Sequence, residues 1–317
     1  YKDSLFAIRK NAPLIAGLGK EENFITSDIS SIHPYTKDFY IINDGEILVL
    51  KENKVEIYDF DGEKIHKEIT HFTWDDSPKK DGFDHFMIKE IMEQPKAVLE
   101  TVKPRIKDGK IILDDIKLTK EDIKNINRIR FVACGSAYHV GVMGKYIMEK
   151  MTKIPVEIEI ASEFRYRNPV VDEKTYVIII SQSGETADSL GALMAAKANG
   201  ARVLSIVNVK DSTIAKESDD VLYTWAGPEI AIATTKAYSA QLSLVYLLSA
   251  YMAEKLGFLS GDEMKNLLDA ILNLPEQIKK TLENKEDIQR FASKYFAADD
   301  VFFLGRGSDY ALALEGS

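Results

Sequence analysis

The stretch TYVIIISQSGET, residues 175–186, decides the fold. Its first six residues carry no charge and are all β-branched or aromatic, which is typical of a strand buried on both faces of a sheet. The polar turn SQSGET follows directly, and a helical pattern then runs from about residue 186 to 199, where Gly200 ends it. A buried strand, a short turn and a helix in succession are the repeating unit of a parallel α/β sheet.

The same unit recurs on both sides of this stretch. Further strands are predicted at 129–133, 156–160, 202–208 and 221–225, and further helices at 138–151 and 234–255. Because short apolar strands alternate with helices, the predicted fold is α/β, a doubly wound parallel-sheet sandwich. Ligands of such sheets bind at the carboxyl ends of the strands.

The N-terminal part follows a different pattern. Residues 5–10, 13–18 and 39–50 are strand-like, and the turn Asn43–Glu46 inside the last run predicts a β-hairpin. The sequence predicts a β-rich region without a complete core of its own. A polar stretch at 74–82 is typical of a linker, and a helix is expected at 85–93, ended by Pro95. The predicted domains are 1–75, a linker or hinge at 76–110, 111–260, and a helical connection leading into a further domain at 261–317.

An internal repeat supports that last domain. Phe131–Tyr138 resembles Phe303–Tyr310, with Gly, Ser and Tyr matching in register. One interpretation is two tandem α/β domains, the second represented by its first strand and turn. The alternative is that any strand-to-helix turn favours Gly-Ser.

Composition limits the function. The chain has 317 residues, 45% of them hydrophobic, and a formal charge of −9, which disfavours nonspecific nucleic-acid binding. The apolar run 242–252 is too short to span a membrane. Cys134 is the single cysteine, so an intrachain disulfide and C-x-x-C motifs are excluded, and a reducing compartment is indicated.

The turn after strand 175–180 is the strongest candidate site. The first turn of a helix has unpaired N–H groups and a partial positive charge, and the Ser181, Ser183 and Thr186 hydroxyls add donors. Gly184 allows a ligand to approach the backbone closely. This combination predicts a phosphate site that is neither a P-loop nor a dinucleotide G-x-G-x-x-G site. The alternative is that Ser183 only caps the helix, with Thr186 or Glu185 completing a capping box.

Other polar residues give weaker signals. The turn Cys134–Ala137 ends a neighbouring strand and would converge on the same ligand, with Cys134 a buried structural residue rather than a nucleophile. The cluster Glu163, Arg165 and Arg167 fits a site wall, a subunit contact or an ion-pair network. Lys236 either helps to hold an anion or is solvated. The histidine spacings predict no metal site.

Several longer motifs resemble one family. They are SQSGETAD (181–188), ASEFRYR (161–167), NV-x-x-S-x-x-A-x-ESD (208–219) and AGPEIAIATTKA (226–237), together with PLIAGLG (13–19), ENFITSD (22–28) and KEIMEQP (89–95). In order and over nearly the whole chain, they resemble the glutamine–fructose-6-phosphate aminotransferases. The resemblance implies a first sugar isomerase (SIS) domain and the start of a second, preceded by part of an α+β glutaminase domain of the N-terminal-nucleophile type.

The resemblance also implies a substrate-binding set that holds the sugar phosphate. That set is Cys134, Gly135, Ser136, Ala137, Ser181, Gln182, Ser183, Thr186, Ile232 and Thr234. Two residues depart from the family pattern. Ala137 stands where a second hydroxyl is usual, and Glu21 stands where glycine is usual.

Further expectations follow from the family. The intact enzyme would convert fructose 6-phosphate and glutamine to glucosamine 6-phosphate and glutamate, as a cytoplasmic homodimer without metal or organic cofactor. The family's N-terminal cysteine nucleophile and its later Glu, His and Lys have no counterpart in residues 1–317. We therefore name no catalytic residue, expect the chain alone to be inactive, and interpret it as a piece of a longer protein.

Three rival functions are considered. The first is a non-catalytic SIS regulator that only binds a sugar phosphate, and the second is a stand-alone SIS sugar-phosphate isomerase or deglycase. The glutaminase-like N-terminal part disfavours both. The third is a dinucleotide oxidoreductase, which the missing G-x-G-x-x-G motif disfavours.

Overall fold

A computed structural model describes residues 3–10, 13–27, 31–32, 34–71, 79–113 and 115–317. The chain divides into two compact units, Tyr1–Lys79 and Lys80–Ser317. Most of the stretch predicted as a linker at 74–82 lies outside the described residues. Within the described part, every helix is too short or too polar to span a membrane.

The first unit consists of short antiparallel strands. They are β1 (Leu5–Ile8), β2 (Leu14–Leu18), β3 (Asn23–Thr26), β4 (Asp38–Ile42), β5 (Ile47–Lys51), β6 (Lys54–Tyr58), β7 (Lys64–Ile65) and β8 (Thr70–His71). Two sheets form, in the orders β1-β5-β6-β7 and β3-β2-β4-β8. Their buried faces share a small apolar core of Ala16, Ile42, Leu48, Leu50 and Ile57. This unit therefore has a core that the sequence pattern did not reveal.

The predicted hairpin at Asn43–Glu46 is wrong. A turn does form there, with the Glu46 N–H donating to the Asn43 carbonyl at 3.1 Å. However, β4 pairs with β2 and β8, whereas β5 pairs with β1 and β6. The turn therefore carries the chain from one sheet to the other. Local turn chemistry predicts a change of direction but does not determine which strands pair.

The second unit alternates helices and strands. Its elements are α1 (Phe86–Val102), a single 3₁₀ turn (Lys103–Arg105), β9 (Ile106–Lys107), β10 (Lys110–Ile111), α2 (Lys120–Asn125), β11 (Arg128–Ala133), α3 (Ser136–Thr152), β12 (Val156–Ile160), α4 (Ala161–Tyr166), β13 (Thr175–Ser181), α5 (Ala187–Ala198), β14 (Arg202–Val207), α6 (Thr213–Glu217), β15 (Asp220–Tyr223), α7 (Lys236–Leu256), α8 (Gly261–Leu282), α9 (Lys285–Tyr295) and α10 (Ser308–Gly316).

Five of these strands form one parallel sheet in the order β12-β11-β13-β14-β15. Separate apolar clusters cover its two faces, so β13 is buried along its whole length. The predicted doubly wound α/β fold is confirmed. The chain crosses from one side of β11 to the other between β12 and β13. The switch point, where ligands of such sheets bind, therefore lies between the carboxyl ends of β11 and β13.

Pro95 lies inside α1 and does not end it, so that prediction is wrong. Proline has no N–H for the carbonyl of Ile91, one turn earlier. The Nε2 of Gln94 donates to that oxygen instead, at 3.0 Å. Ser239 of α7 in turn donates its hydroxyl to the Gln94 Oε1 at 2.6 Å. The helix continues because a neighbouring side chain replaces the missing hydrogen bond.

The internal repeat has a structural counterpart at its glycines. Gly135 precedes α3 with φ 58° and ψ −139°, and Gly307 precedes α10 with φ 61° and ψ −129°. These angles are accessible almost only to glycine. The repeat predicts a strand before the Gly307 turn, but residues 301–305 pair with no described strand and remain irregular. The turn of the second copy is therefore present without its sheet.

Candidate functional site

The ten residues predicted to bind substrate line a single cavity of about 370 Å³. The cavity opens between the ends of β11 and β13, at the switch point of the sheet. Its remaining lining residues are Ile180, Ser189 and Gln241. Residues from the two strand-to-helix turns, from a loop before α7 and from α7 itself therefore meet in one place.

The turn after β13 is held by its own hydroxyl groups. The Ser181 Oγ accepts the Gly184 N–H at 3.1 Å and lies 3.0 Å from the Thr186 Oγ1. Ser183 Oγ accepts the Glu185 N–H at 3.2 Å. Only one of these three hydroxyl protons is needed for the Ser181–Thr186 bond. The other two have no acceptor among the described residues and can donate to a ligand.

Gly184 is required at this turn for two reasons. Its φ is +67°, and an added Cβ would clash with the Ser212 side chain. The Gly184 carbonyl also accepts the Ile214 N–H, which ties the turn to the start of α6. The turn therefore keeps its open shape without a ligand.

The capping interpretation of this turn does not hold. The residue before α5 is Thr186, and in the described structure its side chain makes no capping bond. The Glu185 carboxylate accepts the N–H of Thr213 at 2.7 Å instead of closing a capping box. The N–H groups of the first turn of α5 are thus left without side-chain acceptors, as an anion site requires.

The turn after β11 adds a second helix N-terminus. Gly135 adopts its positive-φ conformation directly before α3, and no side chain caps this helix within the described residues. Ser136 and Ala137 form the first turn and line the cavity. Two helix N-termini, each with a partial positive charge, therefore face one cavity in a chain whose net charge is −9.

A loop before α7 supplies the remaining wall through Ile232 and Thr234. Two carboxylates shape this loop. Glu90 of α1, only 2% exposed, accepts the N–H groups of Ile230 at 2.6 Å and Ala231 at 3.2 Å. Glu229 accepts the N–H groups at the start of α7, and burial raises the pKa of this carboxyl. The cavity wall thus depends on a helix far away in sequence.

Removing the Glu90 carboxylate should release this loop. We expect Glu90→Ala to lower the free energy of unfolding by about 1–3 kcal/mol, because two part-buried N–H groups lose a charged acceptor. Amide hydrogen exchange at Ile230 and Ala231 should accelerate. Glu100→Ala, which removes an exposed carboxylate from the same helix, serves as the control. Unchanged exchange at both amides would contradict this role of Glu90.

The charged residues singled out in the sequence lie outside the cavity lining. Lys236 is buried, and its Nζ lies 2.6 Å from the Glu93 carboxylate of α1, so it is neither a cavity residue nor solvated. Arg165 pairs with Asp188, and Arg167 pairs with Glu159. The arginines of that cluster therefore belong to ion pairs. Cys134 is a free, half-buried thiol on the cavity wall.

Sequence reasoning missed Ser189 and Gln241, the two polar residues of the cavity floor. Both are buried, at 1% and 0% exposure. Ser189 lies one turn beyond the SQSGET motif, and Gln241 is a lone amide in a helix of mainly apolar residues. The sequence signal that could have identified Gln241 is its position as a polar residue within a mainly apolar helix.

Comparisons with known proteins agree with this architecture. Residues 122–251 match the family model described as SIS domain. A glutamine–fructose-6-phosphate aminotransferase from Clostridium tetani is 51% identical over 99% of this chain and 52% of its own length, and one from Clostridium acetobutylicum is 50% identical over the same shares. The solved C-terminal domain of glucosamine-fructose-6-phosphate aminotransferase from Francisella tularensis is 38% identical, with a TM-score of 0.72 over 76% of this chain and 67% of that one.

The parallel sheet and the cavity at its switch point, within the matched residues, define an SIS-domain protein. The similarity to whole-chain relatives is more specific. The chain belongs to the glutamine–fructose-6-phosphate aminotransferase family, as its motifs predicted. It spans about half the length of the curated relatives it matches.

Proposed function

We propose that this chain is the sugar-phosphate-binding part of an enzyme that makes glucosamine 6-phosphate from fructose 6-phosphate and glutamine. One observation carries the proposal. Free hydroxyl donors and two helix N-termini meet in a cavity of about 370 Å³ at the switch point of the sheet. Such an arrangement suits a phosphate dianion, and the cavity has room for an attached sugar chain.

The names of the relatives support the proposed choice of substrates. The matched proteins are named for fructose 6-phosphate as acceptor and glutamine as nitrogen donor. Their similarity extends over 99% of the chain and so includes the N-terminal unit, which a stand-alone isomerase or regulator would not need. By the same resemblance we propose that the N-terminal unit belongs to a glutaminase domain, and that the whole protein works as a cytoplasmic homodimer.

The binding role divides among three parts of the cavity. Ser136 and the turn with Ser183 and Thr186 would hold the phosphate by charge-assisted hydrogen bonds. The loop with Ile232 and Thr234 would cover the sugar. None of these groups is a general acid or base, so the proposal assigns them binding and orientation rather than chemistry.

The single cysteine gives a direct test of this proposal. Cys134 is half-buried on the cavity wall, so a bound ligand should shield its thiol. We expect glucitol 6-phosphate, which cannot react, to slow alkylation by iodoacetamide about tenfold when present at ten times its Kd. Mass spectrometry of the modified chain measures the rate.

Two controls make the labelling result specific. Glucitol without phosphate should not protect, because the phosphate provides most of the binding. The unfolded chain should react at one rate with or without ligand. Equal labelling rates for the folded chain at saturating glucitol 6-phosphate would refute the assignment of this cavity.

A further inference from the structure

Two polar side chains at the cavity floor have no partner. The Oγ of Ser189 and both amide atoms of Gln241 are buried and make no hydrogen bond to any described residue. Both side chains line the cavity. Buried polar atoms in folded proteins are nearly always hydrogen-bonded, because an unpaired one is costly.

Two buried serines of α7, the helix that carries Gln241, behave differently. Ser243 donates to the Ser239 carbonyl at 2.8 Å, and Ser249 donates to the Val245 carbonyl at 2.7 Å. Buried serines of α7 outside the cavity lining are thus satisfied by their own helix. Buried unpaired hydroxyls also occur at Ser205, Ser212, Thr235 and Tyr238, but none of these residues lines the cavity. Ser189 and Gln241 differ from them because their side chains border a space that a ligand can fill, which points to a ligand as their partner.

The chemistry of these groups selects the kind of ligand atom. A carboxamide presents N–H donors and a carbonyl acceptor, and a hydroxyl both donates and accepts. A phosphate dianion offers acceptors only, so it would leave the Gln241 oxygen unpaired. A neutral hydroxyl group can satisfy both the donor and the acceptor. The floor therefore differs in chemistry from the rim, where Ser183 and Thr186 offer donors to an anion.

We propose that Ser189 and Gln241 form a subsite that binds a hydroxyl group of the sugar chain, distinct from the phosphate-binding turns. This inference rests on the proposed function and extends it to specificity. The subsite distinguishes a polyol phosphate from a simple alkyl phosphate. An alkyl phosphate can bind the phosphate-binding turns equally well, but it has no hydroxyl group to pair with Ser189 and Gln241.

Gln241→Met tests the subsite because methionine has a similar length and no amide. Titration calorimetry compares glucitol 6-phosphate with butyl phosphate, which lacks hydroxyl groups. We expect the variant to bind glucitol 6-phosphate roughly 5–150-fold more weakly than the wild-type chain, as the loss of a buried hydrogen-bond partner predicts. Its affinity for butyl phosphate should stay within about twofold or rise. Equal losses for both probes, or no loss for either, would overturn the subsite.

Thermal unfolding of the ligand-free Gln241→Met variant is a second test, because the substitution should weaken ligand binding but should not weaken the fold. Replacing an unpaired buried amide by an apolar group should leave the melting temperature unchanged or raise it. A structural glutamine would show the reverse. A lower melting temperature in Gln241→Met would mean that the amide is bonded in the free protein, and would overturn the proposal.

Ser189→Ala provides a second variant should Gln241→Met fail to fold, and Ser249→Ala is its matched control. Ser189→Ala should weaken the binding of glucitol 6-phosphate but not of butyl phosphate, while Ser249→Ala should not change the affinity for glucitol 6-phosphate.

The same titrations distinguish failure of the proposed function from failure of the subsite. If the wild-type chain binds neither probe, the proposed function fails and the subsite with it. If it binds butyl phosphate as tightly as glucitol 6-phosphate, only the subsite is wrong.

Discussion

We expect Ser183→Ala to bind glucitol 6-phosphate roughly 10–150-fold more weakly than the wild-type chain. The Ser183 hydroxyl accepts the Glu185 N–H at 3.2 Å and has no acceptor of its own among the described residues. Its proton is therefore free to donate to a phosphate oxygen. A hydrogen bond to a charged group contributes about 1.5–3 kcal/mol, which corresponds to that change in Kd. Titration calorimetry on the purified chain measures it.

Two further variants test whether the effect is specific to hydroxyl groups at the cavity. Ser218→Ala removes a hydroxyl that is bonded to the Ile214 carbonyl away from the cavity, and its affinity should equal that of wild type. Ala137→Ser adds a hydroxyl to the first turn of α3 and should tighten binding modestly. If Ser183→Ala keeps full affinity while its fold is intact, the turn has only a structural role.

The rim of the site was predictable because its signals are local. The apolar run before Ser181 predicts a buried strand, and the strand before Cys134 has the same pattern. Parallel strands of a doubly wound sheet end at one edge, so the two turns had to meet once the strands were neighbours. The structure brings all ten predicted residues to one cavity.

The remaining features depend on contacts between distant parts of the chain. Glu90 shapes the loop near Ile232 from α1, and no local pattern links the two. Pro95 predicted a helix end, yet the Gln94 amide and the Ser239 hydroxyl compensate for the missing N–H. The Asn43–Glu46 turn similarly joins two sheets, because strand pairing is decided by packing over the whole unit.

A charge cluster around the buried Asp220 lies at the amino ends of β13, β14 and β15, whereas the cavity lies at the carboxyl ends of the strands. Asp220, at the start of β15, has a fully buried side chain and accepts two bonds from the Arg202 guanidinium at 2.8 and 3.0 Å. It also accepts the Lys117 N–H at 2.7 Å and the Tyr176 hydroxyl at 3.2 Å. Burial and the nearby Asp220 charge raise the pKa of Tyr176 well above its ordinary value, so the tyrosine remains a neutral donor.

Asp220→Ala should have the largest effect on stability of the variants considered. It leaves the Arg202 guanidinium, the Tyr176 hydroxyl and the Lys117 N–H without their acceptor. The Arg202 side chain is 33% exposed and keeps part of its hydration, so the loss comes mainly from the Tyr176 hydroxyl and the Lys117 N–H, which cost about 1–3 kcal/mol each when left unpaired. Together these losses are a large part of the ~5–15 kcal/mol that stabilises a typical protein. Urea unfolding at neutral pH measures the loss. The affinity for glucitol 6-phosphate should remain within about twofold at temperatures where the variant is folded, since the cavity lies at the opposite end of the strands.

Matched variants make this last result decisive. Glu121→Ala removes an exposed carboxylate paired with Lys124, and should change stability by no more than about 0.5 kcal/mol. Asp220→Asn keeps the shape and part of the hydrogen bonding, so it should fall between wild type and Asp220→Ala and serves if the alanine variant does not fold. A loss below about 1 kcal/mol in Asp220→Ala would show that the cluster contributes little beyond the cost of burying it. A strong loss of ligand affinity in a folded variant would show instead that the Asp220 cluster and the cavity, at opposite ends of the strands, are coupled.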